Sequence, residues 1–256
     1  MRCLRNLDIS TSAMTEHHTD IATADGAMNT FVVHPDEGGP FPVVLFYMDA
    51  PGKREELHDM ARRIAAVGYC VVLPNLYYRR TADFWLQERS EDNMKVMFAH
   101  MDSLSRETTL CDTQAMLDFI DGLPAANAKR VGAVGYCMSG PFVVWAAAAW
   151  PQRLACIAAI HPARMVTQEA DSPHLVAKEL RCDSYFGCAE NDIWASKADM
   201  AQLESGLQSA SGPWRLDWYN GTEHGFVFPG RAVYNKAAAE QHWQRLFSQW
   251  ARCLGA

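Results

Sequence analysis

The run Val131-Gly-Ala-Val-Gly-Tyr-Cys-Met-Ser-Gly140 sets a cysteine between an apolar, strand-like stretch and an apolar, helix-like one. A tight turn of the form G-x-nucleophile-x-G admits only small residues two places before and two places after the nucleophile, and Gly135 and Ser139 meet that demand around Cys137. Gly140 adds clearance where a following helix packs on a sheet. Pro141 falls in the first helical turn, where its missing N–H is harmless. A helix N-terminus carries partial positive charge and free N–H groups, which favour thiolate over thiol. The pattern points to nucleophilic cysteine chemistry. The bland alternative is a glycine-rich turn that happens to contain a cysteine.

A nucleophile needs a base, and the base needs a group to orient it. On a strand–turn–helix elbow these follow in the order nucleophile, acid, histidine. The strand-like Ser184-Tyr-Phe-Gly187 opens into Cys188-Ala-Glu-Asn-Asp192, and Leu216-Asp-Trp-Tyr219 leads to Asn220-Gly-Thr-Glu-His-Gly-Phe226. His224, between Gly221 and Gly225, is the candidate base. Asp192 is the candidate orienter, with Glu190 in reserve and Asp171 and Asp183 as alternatives on spacing alone. Among the other histidines, His161 and His174 could border the pocket. His17 and His18 fall in an N-terminal arm, and His34, His58, His100 and His242 are assigned to solvated faces. No His/Cys/Asp/Glu grouping has metal-site spacing, and neither GxGxxG nor GxxxxGK[ST] occurs, so no metal, nucleotide or other cofactor is expected.

Positioning these groups takes alternating strands and helices. Ile21–Thr23 and Asn29–Val33 read as a hairpin, Pro42–Tyr47 as a buried strand, and Glu55–Val67 as a helix ending at Gly68. Tyr69–Leu73, Val131–Tyr136, Leu154–Ile160, Ser184–Gly187 and Leu216–Tyr219 read as strands. Thr109–Ile120, Gly140–Trp150 and Ala232–Leu254 read as helices. Strands alternating with helices of this length imply βαβ units, hence an α/β fold with a mostly parallel central sheet flanked by helices on both faces. Residues 1–19 are expected to be a flexible N-terminal arm and 20–256 a single domain. Residues 79–106, with Phe84, Trp85, Met94, Met97, Phe98 and Met101, fit the alternation least well. They form either a lid-like insertion over a pocket or ordinary core contacts of extra helices.

Composition narrows the function further. The 256 residues carry a formal charge of −7, which argues against binding a nucleic-acid backbone. No apolar run approaches the ~20 residues that span a bilayer. The N-terminus has no apolar segment of a secretory signal, and the eight cysteines show no CxxC pair, which together suit a reducing cytoplasm.

With these residues in hand, the chain resembles the dienelactone hydrolase (carboxymethylenebutenolidase) family of α/β-hydrolases over roughly residues 20–252. The motifs that carry the resemblance are Gly135-Tyr-Cys137-Met-Ser-Gly140, Pro74-Asn-Leu-Tyr77, the Asp192 loop and Gly221-Thr-Glu-His224-Gly-Phe226. The resemblance implies a Cys137–His224–Asp192 triad. It also implies an oxyanion hole from the backbone N–H groups of Met138 and Ala50, and a Tyr77 that borders the site. Asp49 stands where the family has a glutamate that holds the resting thiol, one methylene shorter. The family's arginines for a substrate carboxylate fall by spacing near Met94-Lys95 and at Phe228. Arg231 lies seven residues past His224, and Arg79, Arg80 and Arg89 are further substitutes. This departure implies a substrate less anionic than dienelactone. The expected activity is hydrolysis of a small ester or lactone through an acyl-cysteine. A thioesterase or acyltransferase on the same triad, or a redox-responsive or ligand-binding relative without turnover, is the alternative. No membrane partner is expected, and the oligomeric state is open.

Overall fold

The computed structural model describes residues 13–255. Eight strands form one sheet: β1 (Met14–Thr23), β2 (Gly26–Pro35), β3 (Phe41–Tyr47), β4 (Cys70–Pro74), β5 (Ala126–Tyr136), β6 (Leu154–Ile160), β7 (Asp183–Asn191) and β8 (Trp214–Glu223). Their order across the sheet is β1-β2-β4-β3-β5-β6-β7-β8. β2 pairs antiparallel with β1 and β4, and every other pairing is parallel. Val131–Tyr136 of β5 and nearly all of β3, β4 and β6 are buried, as parallel strands covered on both faces must be.

The helices are α1 (Glu55–Ala65), α2 (Glu91–Met101), α3 (Arg106–Asp121), α4 (Gly140–Ala149), α5 (Pro173–Val176), α6 (Lys197–Leu207) and α7 (Lys236–Leu254). α1 and α7 flank one face of the sheet and are joined by the Arg63–Glu240 ion pair. α3 and α4 cover the other. α4 is apolar all round because it is buried between sheet and neighbours. α7 instead is striped, burying Trp243, Leu246 and Trp250 and exposing charge on its outer face.

Several elements differ from the sequence reading. The expected arm over 1–19 is overturned for residues 14–19, which belong to β1. Residues 1–12 lie outside the described residues. Met14–Asp20 is polar at almost every position, so no alternation betrays it. It is held as an edge strand by its backbone ladder to β2 and by Glu16 on Arg62 (2.6 Å). α6 was not foreseen, although Ser196 and Asp199 cap it reciprocally and that signal is in the sequence. The closing helix starts at Lys236 rather than Ala232, because Asn235 caps it. His100 and His242 are buried, not solvated. His242 hydrogen-bonds the Tyr136 hydroxyl (3.0 Å) and the Ala239 carbonyl (2.8 Å), and His100 stacks on Tyr77 (5.2 Å between ring centres). In residues 79–106, α2 follows a stretch without regular structure. It turns Met94, Met97, Phe98 and Met101 toward the cavity that holds Cys137.

Candidate active site

Cys137 stands at the end of β5 with φ +57°, a left-handed conformation that a non-glycine residue adopts only when its surroundings impose it. The surroundings do so by close packing. A Cβ on Gly135 would lie 2.3 Å from the Ser139 carbonyl oxygen, and one on Gly140 would lie 2.4 Å from Pro162 Cβ. Ser139, in the final small-residue place, donates its hydroxyl to the Met48 carbonyl (2.5 Å) and ties the elbow to the end of β3. The Ala163 N–H donates to the Cys137 carbonyl (2.8 Å) from the loop after β6. A single 3₁₀ turn, Cys137–Ser139, then leads into α4.

His224 lies in the loop after β8. That loop is shaped by Gly221 (φ +69°) and Gly225 (φ +92°), and the Gly221 N–H donates to Glu190 Oε2 (2.7 Å). Its Nδ1 hydrogen-bonds Asp192 Oδ2 at 2.8 Å, and the other Asp192 oxygen accepts from the Trp194 N–H (2.8 Å). The alternatives for the acid are elsewhere. Asp171 gives its carbonyl to Trp145, and Asp183 holds Gln249 and Arg252.

His224 Nε2 is buried and has no partner of hydrogen-bonding geometry, while Cys137 and His224 line one cavity. The largest coupling between them is electrostatic. Burial alone favours both neutral forms. Mutual attraction outweighs it, holding the Cys137 thiol below its ordinary value and, with the Asp192 bond, raising His224 to about 10. His161, at the end of β6, stands edge-on to His224 (4.7 Å between ring centres). It is fully buried, both its ring nitrogens lack partners, and burial pushes it well below its usual value toward the neutral ring. Its position at a strand end was legible; its contact with His224 was not.

Tyr77 joins the two residues named for the oxyanion hole. Its hydroxyl donates to the Ala50 carbonyl (2.8 Å), with the Met138 thioether also in reach (3.3 Å). Among the described residues the Ala50 N–H donates to no protein atom. Asp49 is drawn elsewhere. Its fully buried carboxylate takes Arg54 (2.5 and 3.3 Å) and Arg231 (2.6 Å) and makes no hydrogen bond to Cys137. Both guanidiniums lie over the Phe228 ring, at 5.2 and 4.6 Å. Gly225 makes room for Arg231, since a Cβ there would fall 2.3 Å from its Nη1.

The cavity at Cys137 measures about 70 Å³ and is lined by Ala50, the α2 methionines and Phe98, Trp194, His224, Arg89 and Arg231. Beside it lies a cavity of about 470 Å³, bordered by His224, Trp194, Arg89 and Arg231. A further cavity, about 550 Å³, is lined by Arg54, Glu55 and Glu56 and does not reach Cys137. Arg89 borders all three and has no ion-pair partner among the described residues. Arg79 and Arg80 do not reach the Cys137 cavity: Arg79 is bound to Asp112 and Asp25, and Arg80 to His100. Among the described residues, no three His, Cys, Asp or Glu side chains are grouped to hold a metal ion, and no helix is long and apolar enough to cross a membrane.

A mostly parallel sheet between helical layers, with a strained cysteine at the strand–helix elbow and a histidine loop after the last strand, defines an α/β-hydrolase fold. The chain belongs to the dienelactone hydrolase family, whose model matches residues 28–254. It is a hydrolase of the dienelactone hydrolase kind. A putative carboxymethylenebutenolidase of Synechocystis is 25% identical over 94% of this chain and 96% of its own. Another, of Methylorubrum extorquens, is 27% identical over 92% and 80%. In fold, a putative dienelactone hydrolase of Klebsiella pneumoniae aligns with a TM-score of 0.82 at 22% identity, covering 93% of this chain and 99% of that one.

Proposed function

We propose that this chain hydrolyses a small ester or lactone through an acyl-cysteine. The Cys137 thiolate attacks the carbonyl carbon. As the S–C bond forms, the carbonyl electron pair moves to oxygen, where the Met138 and Ala50 N–H groups stabilise it. In comparable sites such a donor contributes on the order of 3–4 kcal/mol. Collapse breaks the C–O bond, and the departing alkoxide takes the Nε2 proton of His224. His224, then neutral, removes a proton from water, which attacks the thioester and releases Cys137 as thiolate. Asp192 fixes the tautomer and orientation of His224 throughout. Arg231 and Arg89 would receive a polar arm of the substrate, with Asp49 holding Arg231 in place. The seven cysteines among the described residues are free, which suits a cytoplasmic site of action.

The observation that carries this reading is the His224–Asp192 bond at 2.8 Å, which leaves the unpartnered Nε2 in the cavity of Cys137. The test is rapid mixing with p-nitrophenyl acetate, followed by intact mass spectrometry, on wild type and Cys137→Ala. A stoichiometric burst and an acetyl adduct on wild type alone are expected. Equal labelling of both proteins, or labelling of neither, overturns the assignment.

A further inference from the structure

A fourth cavity adjoins the one at Cys137. It measures about 350 Å³, and its floor is Met101, Leu104, Met138, Phe142 and Trp145. Met101 and Arg164 border both cavities, so the two are neighbours with those side chains between them. Part of the floor is tied in place. Phe142 and Trp145 stack at 5.8 Å, and the Trp145 indole N–H donates to the Asp171 carbonyl (2.8 Å). At the boundary Arg164 is held in a left-handed conformation (φ +57°) and bound to Asp102 (2.7 Å), which turns its charge toward α2; the floor is apolar, and Ser105, Arg106, Thr167, Glu169 and Asp171 give the chamber a polar rim.

Which arm of an ester could lie there follows from His224. The base must reach the leaving oxygen, so the alcohol arm lies on its side, in the cavity bordered by His224, Arg89 and Arg231. His224 does not border the apolar chamber, whereas Met138, whose N–H faces the carbonyl oxygen in the mechanism above, does. We propose that this chamber is an acyl-arm site, and that the enzyme takes esters whose acyl group is an extended apolar chain. The inference rests on the acyl-cysteine reading. At about 30 Å³ per water-sized group, the chamber holds a chain on the order of ten such groups. That is well beyond what the 70 Å³ cavity at the thiol can enclose.

The experiment compares kcat/KM for p-nitrophenyl octanoate and acetate in wild type and in two variants that fill the chamber, Leu104→Trp from its floor and Thr167→Trp from its rim. Each methylene that leaves water favours the longer chain, so the octanoate-to-acetate ratio in wild type is expected to be about tenfold or more. It should fall by about tenfold in whichever variants fold. A wild-type ratio near one, or a ratio unchanged in the folded variants, overturns the acyl-arm site while the acyl-cysteine mechanism stands. Should wild type neither turn over nor become acylated by any ester, the mechanism fails instead. Equilibrium dialysis of methyl octanoate then decides the chamber. Binding by Cys137→Ala that is lost in Cys137→Ala/Leu104→Trp retains it as an apolar-chain site, and absence of binding removes it.

Discussion

Asp192 and Asp49 are both buried carboxylates just past strand ends on either side of Cys137, and they are partnered in opposite ways. Asp192 holds a histidine, a group that gains and loses a proton in the working range. Asp49 holds two arginines, which never do. The difference separates the work of the two regions. On the proposed mechanism the Asp192 side takes part in proton transfer, because the charge of its partner would change during the reaction. The Asp49 side is a fixed charge assembly that braces Arg231 and the turn carrying Ala50, and its integrity is a matter of stability first.

Substitutions can break that division. Asp192→Asn is expected to lower kcat by roughly 10³–10⁴-fold with little change in Tm, because the amide no longer fixes the tautomer of His224. Asp49→Asn leaves two guanidiniums against a neutral group in a buried place. It should cost about 3–5 kcal/mol of stability, read as a lowered Tm or denaturant midpoint, with a smaller effect on kcat. A variant Asp49→Asn that keeps its Tm but loses activity as fully as Asp192→Asn would abolish the distinction.

The pH dependence sharpens it. In the free enzyme, attraction to Cys137 is the largest cause that raises His224, and that attraction vanishes once the sulfur is acylated. On the proposed mechanism, acylation uses the thiolate–imidazolium pair. Its burst rate should hold down to the lowered Cys137 value as pH falls, and fail as pH rises through about 10, where His224 loses its proton. Deacylation needs neutral His224, so its rate should rise with pH around a midpoint well below 10. Stopped-flow burst and steady-state rates across pH separate the two limbs, and coincident midpoints would contradict the coupling. The smallest expected effect is that of Tyr77→Phe. It removes the hydroxyl that links Ala50 to Met138 and should cost about 1 kcal/mol, near fivefold in kcat.

The same contrast explains what the sequence disclosed. The Cys137 elbow was legible because its steric demands fall on residues within five positions, and Gly135, Ser139 and Gly140 meet contacts of that kind here. The His224–Asp192 pairing was legible from the order of loops after successive parallel strands. The Asp49 side was not. Its partners lie five residues on and 182 residues on, and nothing local distinguishes an arginine that reaches a buried carboxylate from one on a solvated face. Likewise, the polar pattern of Met14–Asp20 hid an edge strand whose stability comes from backbone pairing. The burial of His100 and His242 depends on packing between elements far apart in the chain.

On the proposed mechanism His224, braced by Asp192, makes Cys137 a thiolate. Titrating the ultraviolet thiolate absorbance of wild type and His224→Ala, each as a difference against the matching protein with Cys137→Ala, tests it most directly. Wild type should show a thiolate whose midpoint lies below that of an ordinary thiol, and His224→Ala should return it upward. A wild-type midpoint at or above the ordinary thiol value, unmoved by loss of His224, would contradict the account.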